Sequence, residues 1–437
     1  MNDQELRELV NPVFNTAKAC VQLSAATGDE DAQRLLGALG FEAFGAQATN
    51  KQVPKEMHEQ VRKLFPAYTI LIESRFKSMN RLIERREDCV IVDLPCGYTS
   101  RGIRLSRQGR TYFGCDLPAV ADAMGPAVEE IIGKSETIAY HAVDATNYES
   151  LEAALADGAQ NLLITTEGLL MYFDQSELEE VFSNIRRLLQ ERGGSWVITD
   201  RAYFLYDQEV VAATLNNDPQ LTAMYAAVTN RAAATTADVK FNDNVFFDPD
   251  DGKLGEFIAE MGFELREVCM ADYLPEQIAS LKGNPEADLA VRDVFKKMAF
   301  WELVVAEAED VDAAEDADVD ADADAEPVDM NLPFKVVSGV NDGTFEVSVQ
   351  GRMDTITAPE VLKQFQDAGG GIKAIRLDVS RMSYISSAGL RVLVMMYKSL
   401  GNADGFKMTG VSKDIRKILE TSGMDRLLLG GSHRAGR

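Results

Sequence analysis

Four acids in the first half of the chain each end a short apolar run: Asp93 after CVIV, Asp116 after TYFGC, Asp144 after TIAYHAV and Glu167 after NLLITT. Asp93 opens DLPCGYTSRGIR, where a tight turn with Gly97 precedes a helical segment. A glycine there lets the backbone approach a ligand closely. Asp116 follows Gly97 by 19 residues, the place at which a carboxylate can accept both hydroxyls of a ribose. Asp144, followed by Ala145, can accept from an adenine amino group. A lone glycine turn is weak evidence of a nucleotide site, and acids at three further run ends strengthen it. The turn lacks GxGxxG, and Pro95 stands where a pyrophosphate would need backbone N–H groups. The loop therefore suits a ligand with adenosine and no phosphate.

The elements that must carry these acids follow an α/β rhythm. Residues 1–85 read as helical. Apolar runs then recur at 89–94, 111–117, 137–145, 161–168, 195–200 and 298–307, with helical stretches such as QSELEEVFSNIRRLLQERG between them. Strands alternating with helices predict a mostly parallel sheet covered on both faces. In such sheets ligands sit at the carboxyl ends of the strands, near the reversal of strand order. The segment 202–262 is longer than a simple crossover and reads as a substrate lid.

S-adenosylmethionine (AdoMet) is a ligand of the expected kind. DLPCGYTSR and TTEGLLMYF together resemble the leucine carboxyl methyltransferase and polyketide O-methyltransferase-like family, Rossmann-like class I AdoMet enzymes, over about residues 10–305. The resemblance implies that Asp93, Gly97 and Arg101 line the methionine end of the cofactor. It gives Asp116 the ribose, Asp144 and Ala145 the adenine, and Glu167 the amino group. Arg75, in SRFKSMNRLIE, matches a family arginine that holds a carboxylate. Pro95 replaces the family's usual glycine after the acid.

Each of these residues has a plainer reading. Asp93 equally braces its turn, Arg101 and Arg75 equally serve as solvated helical cations, Asp116 as a turn acid and Tyr172 as core. No catalytic residue is read. His58 and His141 are the only histidines before the linker, and neither has a partnered acid at a convincing spacing. Methyl transfer from a sulfonium is a direct displacement, governed by alignment. A carboxylate, with a pKa near ~4, is already ionised at neutral pH, whereas a phenol near ~10 would want a base. A small acid is the expected acceptor.

The end of the chain carries a different signal. SYISSAGLRVLV (383–394) runs from an apolar strand through two serines into a helix. The first turn of a helix has unpaired N–H groups and tolerates a phosphate. With FKVVSGV, GTFEVSVQG, KAIRLDVSR and FKMTGV as strands, the order is β-β-α-β-α-β-α. Thr357 or Asp354 caps the first of these helices. This resembles STAS domains, the anti-anti-sigma family, in which one serine is phosphorylated to switch partner binding. Ser387 occupies the phosphoserine's place, and Ser386 that of the aspartate which usually precedes it. The resemblance implies an anti-sigma-factor-like serine kinase as partner, with a serine phosphatase as its counterpart. Both serines also read as plain helix caps.

Composition bounds the rest. The chain has 437 residues and a net charge of −26, which argues against nucleic acid as a partner. Residues 307–329 hold twelve acids and no base, whereas 330–437 carries 15 basic and 10 acidic residues. The acidic run predicts a solvated linker. The expected domains are 1–305, AdoMet methyltransferase-like, and 330–437, STAS, joined by a disordered linker at 306–329. No long apolar run predicts a membrane span, and MNDQELRELV is not a secretory signal. Five scattered cysteines read as reduced cytoplasmic thiols with no metal site. The expected function is an AdoMet-dependent O-methyltransferase tuned by a phosphorylated STAS domain. The alternative is a signalling adaptor whose front domain binds AdoMet without turnover.

Overall fold

The structure, a computed structural model, describes residues 14–43, 55–236, 244–248, 250–306, 332–400, 405–422 and 424–429. The acidic linker, the N-terminal thirteen residues and part of the expected lid lie outside the described residues. Two compact units emerge, one within Pro12–Glu307 and one that takes in Ala308–Arg437. Among the described residues no helix is long and apolar enough to cross a membrane.

The front unit opens with helices α1 (Phe14–Ala26), α2 (Glu30–Ala38) and the 30-residue α3 (Lys55–Glu84). Strands and helices then alternate: β1 (Val90–Asp93), α4 (Arg101–Arg107), β2 (Tyr112–Asp116), α5 (Pro118–Ile132), β3 (Ile138–Ala142), α6 (Tyr148–Ala153), β4 (Leu162–Thr166), α7 (Gln175–Arg192) and β5 (Gly194–Ile198). After them come α8 (Asp200–Thr214), α9 (Pro219–Thr236), α10 (Asp251–Glu260), β6 (Phe263–Cys269), α11 (Pro285–Phe295) and β7 (Ala299–Val305). The seven strands lie in the order β3-β2-β1-β4-β5-β7-β6. The first five are parallel, and β7 runs antiparallel to both β5 and β6.

The six apolar runs of the sequence are six of these strands. Their alternate residues feed different cores on the two faces of the sheet, most completely in β2 and β4, which are buried throughout. Ile91, Tyr112, Leu163 and Val197 join the core under α3, α5 and α11. Val92, Phe113, Ile164 and Trp196 join the core under α7 and α10. The sequence expectation treated GFELREV only as the far border of the lid. It is β6, an edge strand whose charged residues alternate with apolar ones.

Helix α3 is fastened along its length. The buried Glu73 carboxylate accepts from the backbone N–H groups of Ala279 and Ser280, each at 2.7 Å, and from the Ser280 hydroxyl at 2.5 Å. Two turns further on, Arg81 donates to the Leu274 carbonyl at 2.6 Å, and Arg85 to that of Asp272 at 3.0 Å.

The second unit contains β8 (Lys335–Asn341), β9 (Thr344–Met353), α12 (Ala358–Asp367), β10 (Ala374–Ile385), α13 (Ser387–Ser399), β11 (Phe406–Thr409), α14 (Lys413–Thr421) and the short α15 (Asp425–Leu428). This is the expected order with one helical turn added. The sheet runs β11-β10-β9-β8, with β8 and β9 antiparallel and the other pairs parallel. Alternation decides which face is core. Phe345, Val347 and Val349 of β9 and Ile375, Leu377 and Val379 of β10 are buried with Val361, Val392, Leu393 and Ile415 of the helices. Their neighbours Glu346 and Arg376 are exposed, 3.7 Å apart on adjacent strands.

Candidate functional site

The reversal of strand order falls between β1 and β4, which flank each other with β2 and β5 outside. Four of the expected residues meet at these strand ends. Arg101, 1 % exposed, is the hub. Its guanidinium donates to Asp93 Oδ1 at 2.6 Å, to Asn80 Oδ1 at 2.8 Å and to Glu167. Asp93 is fully buried and also accepts from the Thr165 hydroxyl at 2.8 Å and the Tyr112 hydroxyl at 3.0 Å. Burial alone would lower the Arg101 pKa, but Asp93 and Glu167 more than offset it, so the guanidinium stays charged. Neither Asp93 nor Arg101 faces solvent. The plainer reading of Arg101 as a solvated cation is overturned, because its side chain is buried in ion pairs with Asp93 and Glu167.

Glu167 lies between two cations. Besides Arg101 it has Arg75 Nε at 3.6 Å. Burial raises its pKa against the pull of both arginines. Arg75, on α3, also lies over the Tyr203 ring, 5.7 Å from its centroid, and that tyrosine's hydroxyl is 3.1 Å from Ser74 Oγ. This excludes the free helical cation for Arg75 as well.

Gly97 and Asp116 form a second group. Gly97 takes φ +53°, the left-handed region, as its turn requires. Its N–H donates to Asp116 Oδ2 at 2.7 Å, and the Leu117 N–H donates to Oδ1 at 2.7 Å. Asp116 is 8 % exposed. Burial pushes its pKa up to about 7 against the two backbone donors. The carboxylate keeps lone pairs beyond the two it uses here.

Asp144 and Ala145 lie in the turn after β3. Asp144 Oδ1 accepts from the Thr146 N–H at 2.9 Å and the Thr146 hydroxyl at 2.6 Å, closing the turn after β3. The Ala145 carbonyl accepts from Asn184 Nδ2 at 3.1 Å. Tyr172 sits half-buried in the helical turn after β4. His141, on β3, packs against Phe113, and burial lowers its pKa; the side chain of His58 lies outside the described residues.

The sequence reading passed over Asn80, Tyr112 and Thr165, which reach the Asp93–Arg101 pair from three different elements. It also passed over Asp200. That buried carboxylate accepts three backbone N–H groups, from Gly168 at 2.6 Å, Leu169 at 2.9 Å and Leu170 at 2.8 Å. A signal was present, since Asp200 ends the SWVIT run as the other four acids end theirs.

In the second unit, Ser386 caps α13. It is 4 % exposed, and its hydroxyl accepts from the Gly389 N–H at 3.4 Å. Ser387 is the first helical residue, and its side chain lies outside the described residues. Thr357 precedes α12 without a side-chain cap bond, whereas Asp354 Oδ1 accepts from the N–H groups of Ile356 and Thr357, each at 3.1 Å.

Among solved structures, the chain is similar to an anti-sigma factor antagonist from Mycobacterium paratuberculosis, 25% identical over 23% of this chain and 85% of that one, with a TM-score of 0.20. It is similar to a DUF574 family protein from Streptomyces avermitilis, 12% identical over 65% of this chain and 100% of that one, TM-score 0.35. A magnesium protoporphyrin IX methyltransferase from Synechocystis with bound SAH is 11% identical over 65% and 96%, TM-score 0.31. Family models match two segments: "Leucine carboxyl methyltransferase" over residues 12–186, which takes in all eight candidate cofactor residues, and "Mlab, STAS domain" over 339–430, which takes in both serines. By these matches the chain joins a front segment of the leucine carboxyl methyltransferase family to a rear segment of the STAS family.

Proposed function

We propose that the front unit is an AdoMet-dependent O-methyltransferase acting on a small carboxylic acid. The observation that carries this reading is the pairing of Gly97 with Asp116 across the ends of β1 and β2, beside the Arg75–Glu167 pair at β4. Asp116 would take the ribose hydroxyls, and the turn at Asp144 and Ala145 the adenine. The methionine end of AdoMet carries an ammonium and a carboxylate. Glu167 and Arg75, 3.6 Å apart, offer one partner for each, with Asp93 and Arg101 holding Glu167 from behind. The residues thus fit the cofactor, which supplies an electrophilic methyl group. The protein's part is alignment of the acceptor oxygen with that methyl and exclusion of water. An acceptor that is already ionised needs no proton removed, which agrees with strand-end groups that are all engaged in ion pairs or backbone hydrogen bonds.

Transfer of tritium from labelled AdoMet to a panel of small acids, followed by alkaline release of the ester's methanol, tests the reading. Base-labile label in the product is expected. Tight AdoMet binding with no transfer to any acid would favour the adaptor that binds the cofactor without turnover.

For the second unit we propose that Ser387 is phosphorylated by an anti-sigma-factor-like serine kinase and that the phosphate releases a protein partner. Ser386 is buried and engaged as the cap, which leaves Ser387 as the serine whose modification spares the cap bond. Phosphate adds about −1.5 to −2 charge. Incubation with such a kinase and mass spectrometry should place it on Ser387 and find none in Ser387→Ala; phosphate on Ser386 would overturn the assignment. The acidic run 306–329 would then act as a solvated spacer between separately folding domains. Proteolysis near Ala317 should release two pieces, each with its own melting transition, and a single inseparable transition would refute it.

A further inference from the structure

We propose that Asp200 is a positioning residue for the amino-acid end of the cofactor, acting through the turn after β4. The proposal rests on the AdoMet reading above. Asp200 is 4 % exposed and stands where β5 passes into α8. Its two oxygens hold the N–H groups of three successive residues, Gly168, Leu169 and Leu170, at 2.6–2.9 Å. These residues directly follow Glu167, so their placement sets where the Glu167 carboxylate points.

The same helix also reaches Arg75. Tyr203, one turn beyond Asp200, lies beneath the Arg75 guanidinium and bonds to Ser74. Gly168 completes the seat. It takes φ +74°, and a Cβ built there would stand 3.6 Å from Arg75 Nη1. The first turn of α8 therefore places both halves of a zwitterion receptor, the acid through the Asp200 carboxylate and the cation through the Tyr203 ring. It makes no described hydrogen bond to Asp116, the residue given to the ribose. A change at Asp200 should be felt at one end of the ligand and not at the other.

Two ligands separate the ends: S-adenosylhomocysteine, which has the amino-acid group, and methylthioadenosine, which lacks it. In Asp200→Asn one acceptor oxygen becomes an NH2 group facing backbone N–H donors, and the turn must relax. Hydrogen bonds to a charged group contribute about 1.5–3 kcal/mol, equivalent to roughly tenfold or more in affinity. Calorimetry on the full chain should therefore show Asp200→Asn weakening S-adenosylhomocysteine about tenfold or more, with methylthioadenosine changed less than about twofold. Asp200→Glu, which keeps the charge, should recover part of the loss. If Asp200→Asn does not fold, Gly168→Ala, which leaves Asp200 in place and strains the same turn at φ +74°, should give the same selective pattern. Equal loss of both ligands, or loss of neither, would overturn the role of Asp200 while leaving the cofactor reading intact. Wild-type protein that binds neither ligand would overturn the cofactor reading and this proposal with it.

Discussion

Two acids on neighbouring strands, Asp93 at the end of β1 and Asp116 at the end of β2, are held in opposite ways. Asp93 is held by charge and side-chain dipoles, with a guanidinium, a phenol and a threonine hydroxyl converging on it. Asp116 is held by two backbone N–H groups, Gly97 from the loop after β1 and Leu117 from its own loop, and among the described residues by no cation. Both are buried, and burial drives the Asp116 pKa up to about 7. Backbone donors orient a carboxylate without neutralising it, whereas an ion pair does both. The first arrangement builds a rigid foundation, and the second leaves an acid that still gains from a new donor such as a ribose hydroxyl.

The largest effect should come from breaking the charged group. Arg101→Ala leaves Asp93 and Glu167 buried without their shared cation, and removing one partner of a buried pair costs about 3–5 kcal/mol. The front unit should unfold at far lower denaturant concentration while the second unit's transition stays put. A loss below about 1 kcal/mol would show that the cluster is not the foundation described.

Asp116 should show itself through pH. Its folded pKa lies above the ordinary value of 3.8, so the free front unit holds an extra proton between about pH 4 and 7. Its contribution to stability is present below pH 4 and is lost as pH rises through about 7. Cofactor binding has the reverse dependence, because ribose hydroxyls need the ionised form. AdoMet affinity should fall as pH drops below about 7, by up to about tenfold per unit. Asp116→Asn should bind at least about tenfold more weakly at pH 8 with that slope gone; a wild-type affinity that is flat from pH 5 to 8 would contradict the comparison.

Ser386 is the neutral counterpart of Asp116, a side chain serving a backbone N–H. Loss of an N-cap costs about 0.5–2 kcal/mol. Ser386→Ala should lower the second unit's stability by about 1 kcal/mol, read from its urea midpoint at unchanged slope. No change would mean that the long Gly389 contact contributes nothing.

What was legible in the sequence follows from the range of each interaction. Strands β1 to β5 and β7 could be read because each is a short, mainly apolar run, buried at every position in β2 and β4. Strand β6 packs one side only, and its Glu264, Arg266 and Glu267 hid it. The acids ending the strands were visible for the same reason as the strands. Their partners were not: Asn80 and Glu167 meet Arg101 from 21 and 66 residues away. The glycines at 102 and 114 carried no readable reason. In the fold, a Cβ on either would collide with the Tyr140 ring, at 2.3 Å from its hydroxyl for Gly102 and 2.6 Å for Gly114. Asp200 obeyed the visible pattern, but nothing local marks an acid that serves a loop 30 residues behind it.

The fastening of α3 bears on which changes in chain length the protein can survive. Glu73 is locked to the 279–280 turn, while Arg75 and Asn80 on the same helix meet Glu167 and Arg101. One residue inserted between Glu73 and Asn80 would turn one end relative to the other by about 100° and lengthen the helix by about 1.5 Å. Either the 279–280 turn or Arg101 would then lose its partner. The surface loops can gain or lose residues by drift, but the eight positions from 73 to 80 must keep their count.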